Sequence, residues 1–116
     1  MKKYEVVAMY HILSPLPLTK FSEGIQNALF ANYLALHTVA LAHDNTLSAL
    51  AQKLRSEGVA EEDIDKKTKA LSAEILREDV EVELKKIERD VFRTEATKRE
   101  IPITLAHLVA LAPMFE

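Results

Sequence analysis

The chain has 116 residues, with 15 lysines and arginines set against 18 aspartates and glutamates, two glycines and no cysteine. That length predicts a single domain over residues 1–116 around one hydrophobic core, and the near-balance of charge excludes the far-reaching field of a dedicated nucleic-acid or membrane-surface binder. The lack of cysteine excludes disulfides, thiolate zinc sites and cysteine nucleophiles, which fits a cytoplasmic protein held by packing alone.

In chain order, the opening MKKYEVVAMYHILSPLPL imitates a signal peptide. Glu5, His11 and two prolines interrupt its apolar run, no small-residue cleavage site follows, and it reads as mature protein. Tyr4 to Leu13 is too apolar for periodicity to separate helix from strand, and the favoured reading is helix. Ser14-Pro15-Leu16-Pro17 breaks regular structure, because each proline removes a donor and restricts the residue before it. Thr19 or Ser22 is placed to cap the next helix, with Glu23 in its first turn.

Gly24 to His43, GIQNALFANYLALHTVALAH, holds no formal charge. As a helix it is apolar nearly all round, the mark of a helix enclosed on several sides. Its polar side chains fall in three rows, Asn32 with His43, Gln26 with His37, and Asn27 with Thr38. A membrane span is excluded, because those groups lack partners in hydrocarbon and the flanks lack interfacial anchors. The helix is expected to end near Asp44-Asn45, where Thr46 can cap a short amphipathic helix bearing Leu47, Leu50, Ala51 and Leu54. Gly58 ends that helix as a left-handed glycine, and Glu61, Glu62 and Asp63 open the next.

From Ala60 to about Thr97 the pattern is strongly charged, with Glu62–Lys66, Asp63–Lys67, Asp65–Lys69 and Glu81–Lys85 at four-residue spacing. The apolar set Ile64, Leu71, Ile75 gives way to Leu76, Val80, Leu84, Ile87, Val91. This one-residue shift near Leu76 predicts a bend, a local irregularity or two helices meeting around Glu78-Asp79. A competing reading takes Val80 to Leu84 as a strand on its alternation. Glu95 to Glu100 is a polar connection, Pro102 fits the first turn of a last helix over Ile103 to Ala112 with Thr104 as the other candidate cap, and Pro113 ends it. The fold class expected is therefore all-α, a compact bundle of about five helices around a central apolar helix Ser22–His43. The alternative is α+β with short strands near 4–10 and 80–84.

Three constellations can be weighed as chemistry. His37 and the dipeptide His43-Asp44 are superficially similar to the metal-binding histidines and His-Asp pair of HD-type phosphohydrolases. The resemblance fails on spacing: Asn45-Thr46 stands where that family commonly has glycine and lysine, and His37 and His43 lie about 240° apart on a helix. The expected roles are a buried, hydrogen-bonded His37 and a helix-terminal His43. A carboxylate-bridged di-iron bundle needs Glu-x-x-His, but Ala8, Leu34, Ala40 and Thr104 stand three residues before the four histidines. Thr46 to Leu71 has the order of a helix-turn-helix with Lys66, Lys67 and Lys69 towards phosphates. Its turn is too long, however, and Glu61, Glu62, Asp63 and Asp65 would meet the groove first, which favours a plain αα-hairpin. The serines lack a nucleophile elbow and no glycine-rich loop is present.

No catalytic, cofactor-binding or metal-binding residue is therefore assigned, and no cofactor is expected. The surplus of apolar helix surface predicts a small non-enzymatic interaction protein, a homo-oligomer or a subunit of a larger protein complex. The alternative is a nucleic-acid-associated helical subunit, either helix-turn-helix-like over 46–71 or touching backbone within a nucleoprotein complex. Its candidate contacts are Lys66, Lys67, Lys69, Lys85, Lys86, Arg89 and Arg93, whose competing role is an ordinary solvated face.

Overall fold

Lys3–Leu13 forms the first helix, α1, in a computed structural model that describes residues 1–116. Val6, Met9 and Leu13 share its inner face and are fully buried, which removes the strand alternative at 4–10. The Pro15–Pro17 break turns the chain, and a 3-10 turn at Leu18–Lys20 drops Leu18 and then Phe21 into the core.

The second helix, α2, spans Glu23–Ser56 and passes Asp44-Asn45 without interruption, so the expected boundary there is corrected. Neither residue is a proline or glycine, and their poor helix propensity costs only about 0.7 kcal/mol each. Continuing the helix seats Leu54 in a buried position and Leu47 and Leu50 in half-buried ones. Thr46 does not cap; its hydroxyl donates to the carbonyl of Ala42 at 2.9 Å, as Thr38 does to Leu34 at 3.2 Å. At 34 residues the helix is about 51 Å long, which sets the longest dimension of the molecule, 54 Å. The radius of gyration is 17.0 Å, against about 13 Å for a compact chain of this length.

Glu57 ends α2 and Gly58 follows at φ 80°. Val59 N–H donates to Leu54 and Gly58 N–H to Arg55, a Schellman closure that requires the left-handed glycine. The third helix, α3 (Glu61–Leu76), returns antiparallel. Its distal half and the end of α2 form an arm in which Leu54 and Ile64 are the buried residues. The arm is the expected αα-hairpin, although its first helix is the continuation of α2 and not a separate element. Across the turn Arg55 Nε donates to Glu61 at 2.8 Å. This bond holds the Glu61 carboxyl below, and the Arg55 guanidinium above, their ordinary values.

The helix predicted to run on towards Val91 stops at Leu76. Residues 77–88 form an extended strap with Val80, Val82 and Leu84 half-buried and Glu81 and Glu83 exposed. The alternation seen in the sequence is therefore real, yet no sheet forms. Isolated bridges tie the ends, Lys2 to Asp79 and Ile87 to Phe115. Midway, Asn32 of α2 reaches across: its Oδ1 accepts from Lys85 N–H at 2.6 Å and its Nδ2 donates to Lys85 C=O at 3.0 Å. Asn32 is the one buried polar residue. An extended strap also leaves Glu81 and Lys85 without the helical geometry that their spacing predicted.

Two short helices close the body, α4 (Arg89–Lys98) and α5 (Leu105–Ala110). Phe92 stacks on Phe21 at 5.1 Å between centroids and packs against Phe115 at 5.2 Å. Glu95 accepts from the backbone N–H and the hydroxyl of Ser22, so the residue ahead of α2 is held by α4 instead of capping its own helix. Thr104, not Pro102, begins α5; its hydroxyl accepts from His107 N–H at 3.3 Å. The protein is thus all-α with five helices, and no helix is long and apolar enough to cross a membrane.

Replacing Asn32 by Ala strands both backbone groups of Lys85, and urea denaturation should show a loss of about 2–4 kcal/mol. Leucine at this position should not restore it. Because the Glu61 carboxyl is depressed, its stabilisation of the turn is complete above its ordinary 4.5 and is lost as pH falls through the lower folded value. Amide exchange should therefore show weaker protection around Gly58 in Glu61→Gln than in wild type at about pH 6, with the difference shrinking as pH falls below the carboxyl's ordinary 4.5 and the wild-type group protonates.

Candidate functional site

The inner stripe of α2 is Ile25, Leu29, Asn32, Leu36 and Ala40. Diametrically opposite, at about 100° per residue, runs a second stripe that the chain leaves uncovered. It comprises Gly24, Asn27, Phe30, Ala31, Leu34, Thr38, Leu41, Ala42, Asn45, Ser48, Ala49 and Gln52, every one exposed and none charged. Leu34 is 63% exposed, Leu41 47% and Phe30 40%. α3 differs, its exposed positions including Glu61, Glu62, Asp63, Asp65, Lys66, Lys67 and Lys69, whereas single apolar side chains are also exposed on α1 and α5, at Tyr4, Leu105 and Val109. Enclosure of the apolar helix is thus one-sided. Its polar residues divide, Asn32 and His37 facing partners inside the body and Asn27 and Thr38 facing out.

Beside Phe30 the stripe meets a groove of about 270 Å³ lined by Leu16, Pro17, Phe30 and Tyr33. Next to it Tyr10 of α1 stacks on Tyr33 at 5.3 Å, and its hydroxyl lies 3.1 Å from His37 Nδ1. Tyr33 beside it, and then lost hydration, hold the Tyr10 phenol above its ordinary value. His37 is hydrogen-bonded as expected but half-buried rather than buried, and it locks α1 to α2.

His43 differs from expectation, since the continuing helix leaves it mid-helix. Its Nε2 lies 2.8 Å from the Ser72 hydroxyl of α3 and its Nδ1 3.2 Å from Asp44 Oδ1. The order Asp44–His43–Ser72 has the connectivity of a hydrolytic triad. Acyl transfer also needs donors aimed at a developing oxyanion, and Ser72 lies inside α3, where main-chain N–H groups are committed to the helix ladder. Asp44 is 69% exposed. The arrangement accounts for itself as a clasp between α2 and α3. Ser72 carries no local sequence signal for this role, because its partner lies 29 residues away.

The basic candidates are split between elements. Lys66, Lys67 and Lys69 are exposed on α3 among the acidic residues of its first half. Lys85 and Lys86 sit on the strap, where Lys86 Nζ donates to Pro113 C=O at 2.7 Å. Arg89 and Arg93 of α4 border a groove of about 440 Å³ with Leu105, Leu108, Val109 and Phe115, and neither is in an ion pair with a carboxylate.

As a clasp, His43→Ala and Ser72→Ala should each lower stability by about 1 kcal/mol. The double variant should lose little more than the worse single one, a coupling that a thermodynamic cycle in urea measures. Comparison of the chain with protein-family models, with curated proteins and with solved structures finds no match.

Proposed function

We propose that this is a non-enzymatic helical interaction protein, working as an oligomer or as a subunit of a larger protein complex, with the outward stripe of α2 as its contact surface. The observation that carries the reading is that, beyond Glu23 at the start of the helix, the twelve exposed residues of that stripe from Gly24 to Gln52 carry no charge, in a chain that is 28% charged. The solvated face of α3, by contrast, uses lysine, glutamate and aspartate. Covering Phe30, Leu34 and Leu41 alone removes on the order of 250 Å² of apolar surface from water, worth about 6 kcal/mol before the costs of association.

A second reading, association with nucleic acid, rests on Arg89 and Arg93, which stand one turn apart on α4 with no carboxylate partner. Their groove is floored by apolar side chains, a chemistry better suited to protein than to phosphate.

Purification of the tagged protein from the organism that encodes it, with nuclease treatment, tests the choice. Associated protein, whether another chain or an untagged copy of this one, should survive the nuclease and be lost from Leu34→Lys/Leu41→Lys. Recovery that depends on nucleic acid and ignores the stripe substitutions would sink the proposal. A fluorophosphonate reagent should leave Ser72 unlabelled in the purified protein.

A further inference from the structure

We infer that the partner covering the outward stripe is a second copy of this chain, packed antiparallel along α2. The inference rests on the proposed role of that stripe and adds the identity of what covers it. Positions Asn27, Ala31, Leu34, Thr38, Leu41, Asn45 and Ser48 step by four and three, the register of a coiled-coil seam, and all are exposed.

The seam is complementary to itself when reversed. A two-fold axis passing beside Leu36 sets Leu34 against Thr38 of the other copy, Ala31 against Leu41, and Asn27 against Asn45. Each layer pairs a large side chain with a smaller one, or an amide with an amide that can satisfy it. Charge at the ends selects the same direction. Glu23 begins α2, and Lys53 and Arg55 lie in its last turn, so reversal sets Glu23 opposite Ala49 and carries the acidic start of one helix towards the basic end of the other, Lys53 standing about 6 Å further along the axis. A parallel pair would instead bring the two Glu23 ends to one level and set the two helix dipoles side by side in the same sense.

Area is sufficient. The stripe runs most of the length of the longest axis, 54 Å. Covering it buries roughly 500–600 Å² per copy, about 1,000–1,200 Å² in all, at the lower edge of specific protein interfaces.

The absence of cysteine makes the geometry directly measurable. Analytical ultracentrifugation of the purified protein should find a dimer at tens of micromolar. Leu34→Lys/Leu41→Lys should sediment as a monomer, with at least about a 100-fold rise in dissociation constant. Both positions are exposed, so circular dichroism and melting temperature should stay at wild-type values below the dimerisation range, separating lost pairing from lost folding. A short bis-maleimide should then join Ala31→Cys to Leu41→Cys in a mixture of the two variants and leave each variant alone unjoined, because like positions lie about 15 Å apart along the axis.

A monomer at 100 μM, a dimer indifferent to the lysine substitutions, or cross-linking of Ala31→Cys to itself would each overturn the inference. If the purified protein is monomeric while the lysine variant still loses associated protein in its native organism, self-pairing fails and the stripe serves a different chain. Failure in both experiments removes the contact surface altogether.

Discussion

The fold turns on a single side-chain amide. Asn32 answers both backbone groups of Lys85, and its Nδ2 also lies 3.4 Å from Met114 Sδ. The strap 77–88 has no neighbouring strand along most of its length, so this contact does for the strap what a ladder does in a sheet. A leucine in the same place would bury more apolar surface but would leave the part-buried N–H and C=O of Lys85 without their partner. Through the strap, the amide sets where Ile87, α4 and the C-terminal residues meet α2. With its inner face committed to that task, α2 has only its outer face left for anything else.

Much of the architecture is legible in the residues because local and tertiary preferences agree there. Pro15 and Pro17 break the chain where the break is found, Gly58 takes the left-handed position, and Glu61 to Asp63 open α3. Where two local patterns coexist, the sequence alone does not choose. Val80 to Leu84 fits a helical stripe through Leu84, Ile87 and Val91 as well as a period of two. Asn32 and the core beneath the strap select the extended form, and no residue within the segment announces that selection. Asp44-Asn45 misleads for a related reason: both residues favour helix ends, and packing of Leu50 and Leu54 on α3 outweighs them.

The candidate surface was half legible. Lack of charge from Gly24 to His43 is plain in the sequence, and an all-round apolar helix reads as one surrounded by protein. A sequence cannot say whether the surrounding protein is the same chain. The structure covers one side, with α1, the strap and the C-terminal residues supplying the cover, and leaves Leu34 and Leu41 in solvent. The link from His43 to Ser72 was not legible at all, since it depends on the register in which α3 returns along α2.

The arm has a consequence of a different kind. Outside the 14-residue core, it is sustained by Leu54 and Ile64 with half-buried Leu47, Leu50 and Leu71, so its opening costs less free energy than global unfolding and the hairpin can behave as a separate cooperative unit. The outward stripe does not stop at the body. At Asn45, Ser48 and Gln52 it passes onto the arm, on the face of α2 turned away from α3. A partner seated there would touch α2 alone, so α3 could open and close without changing what the stripe presents for as long as α2 stays helical.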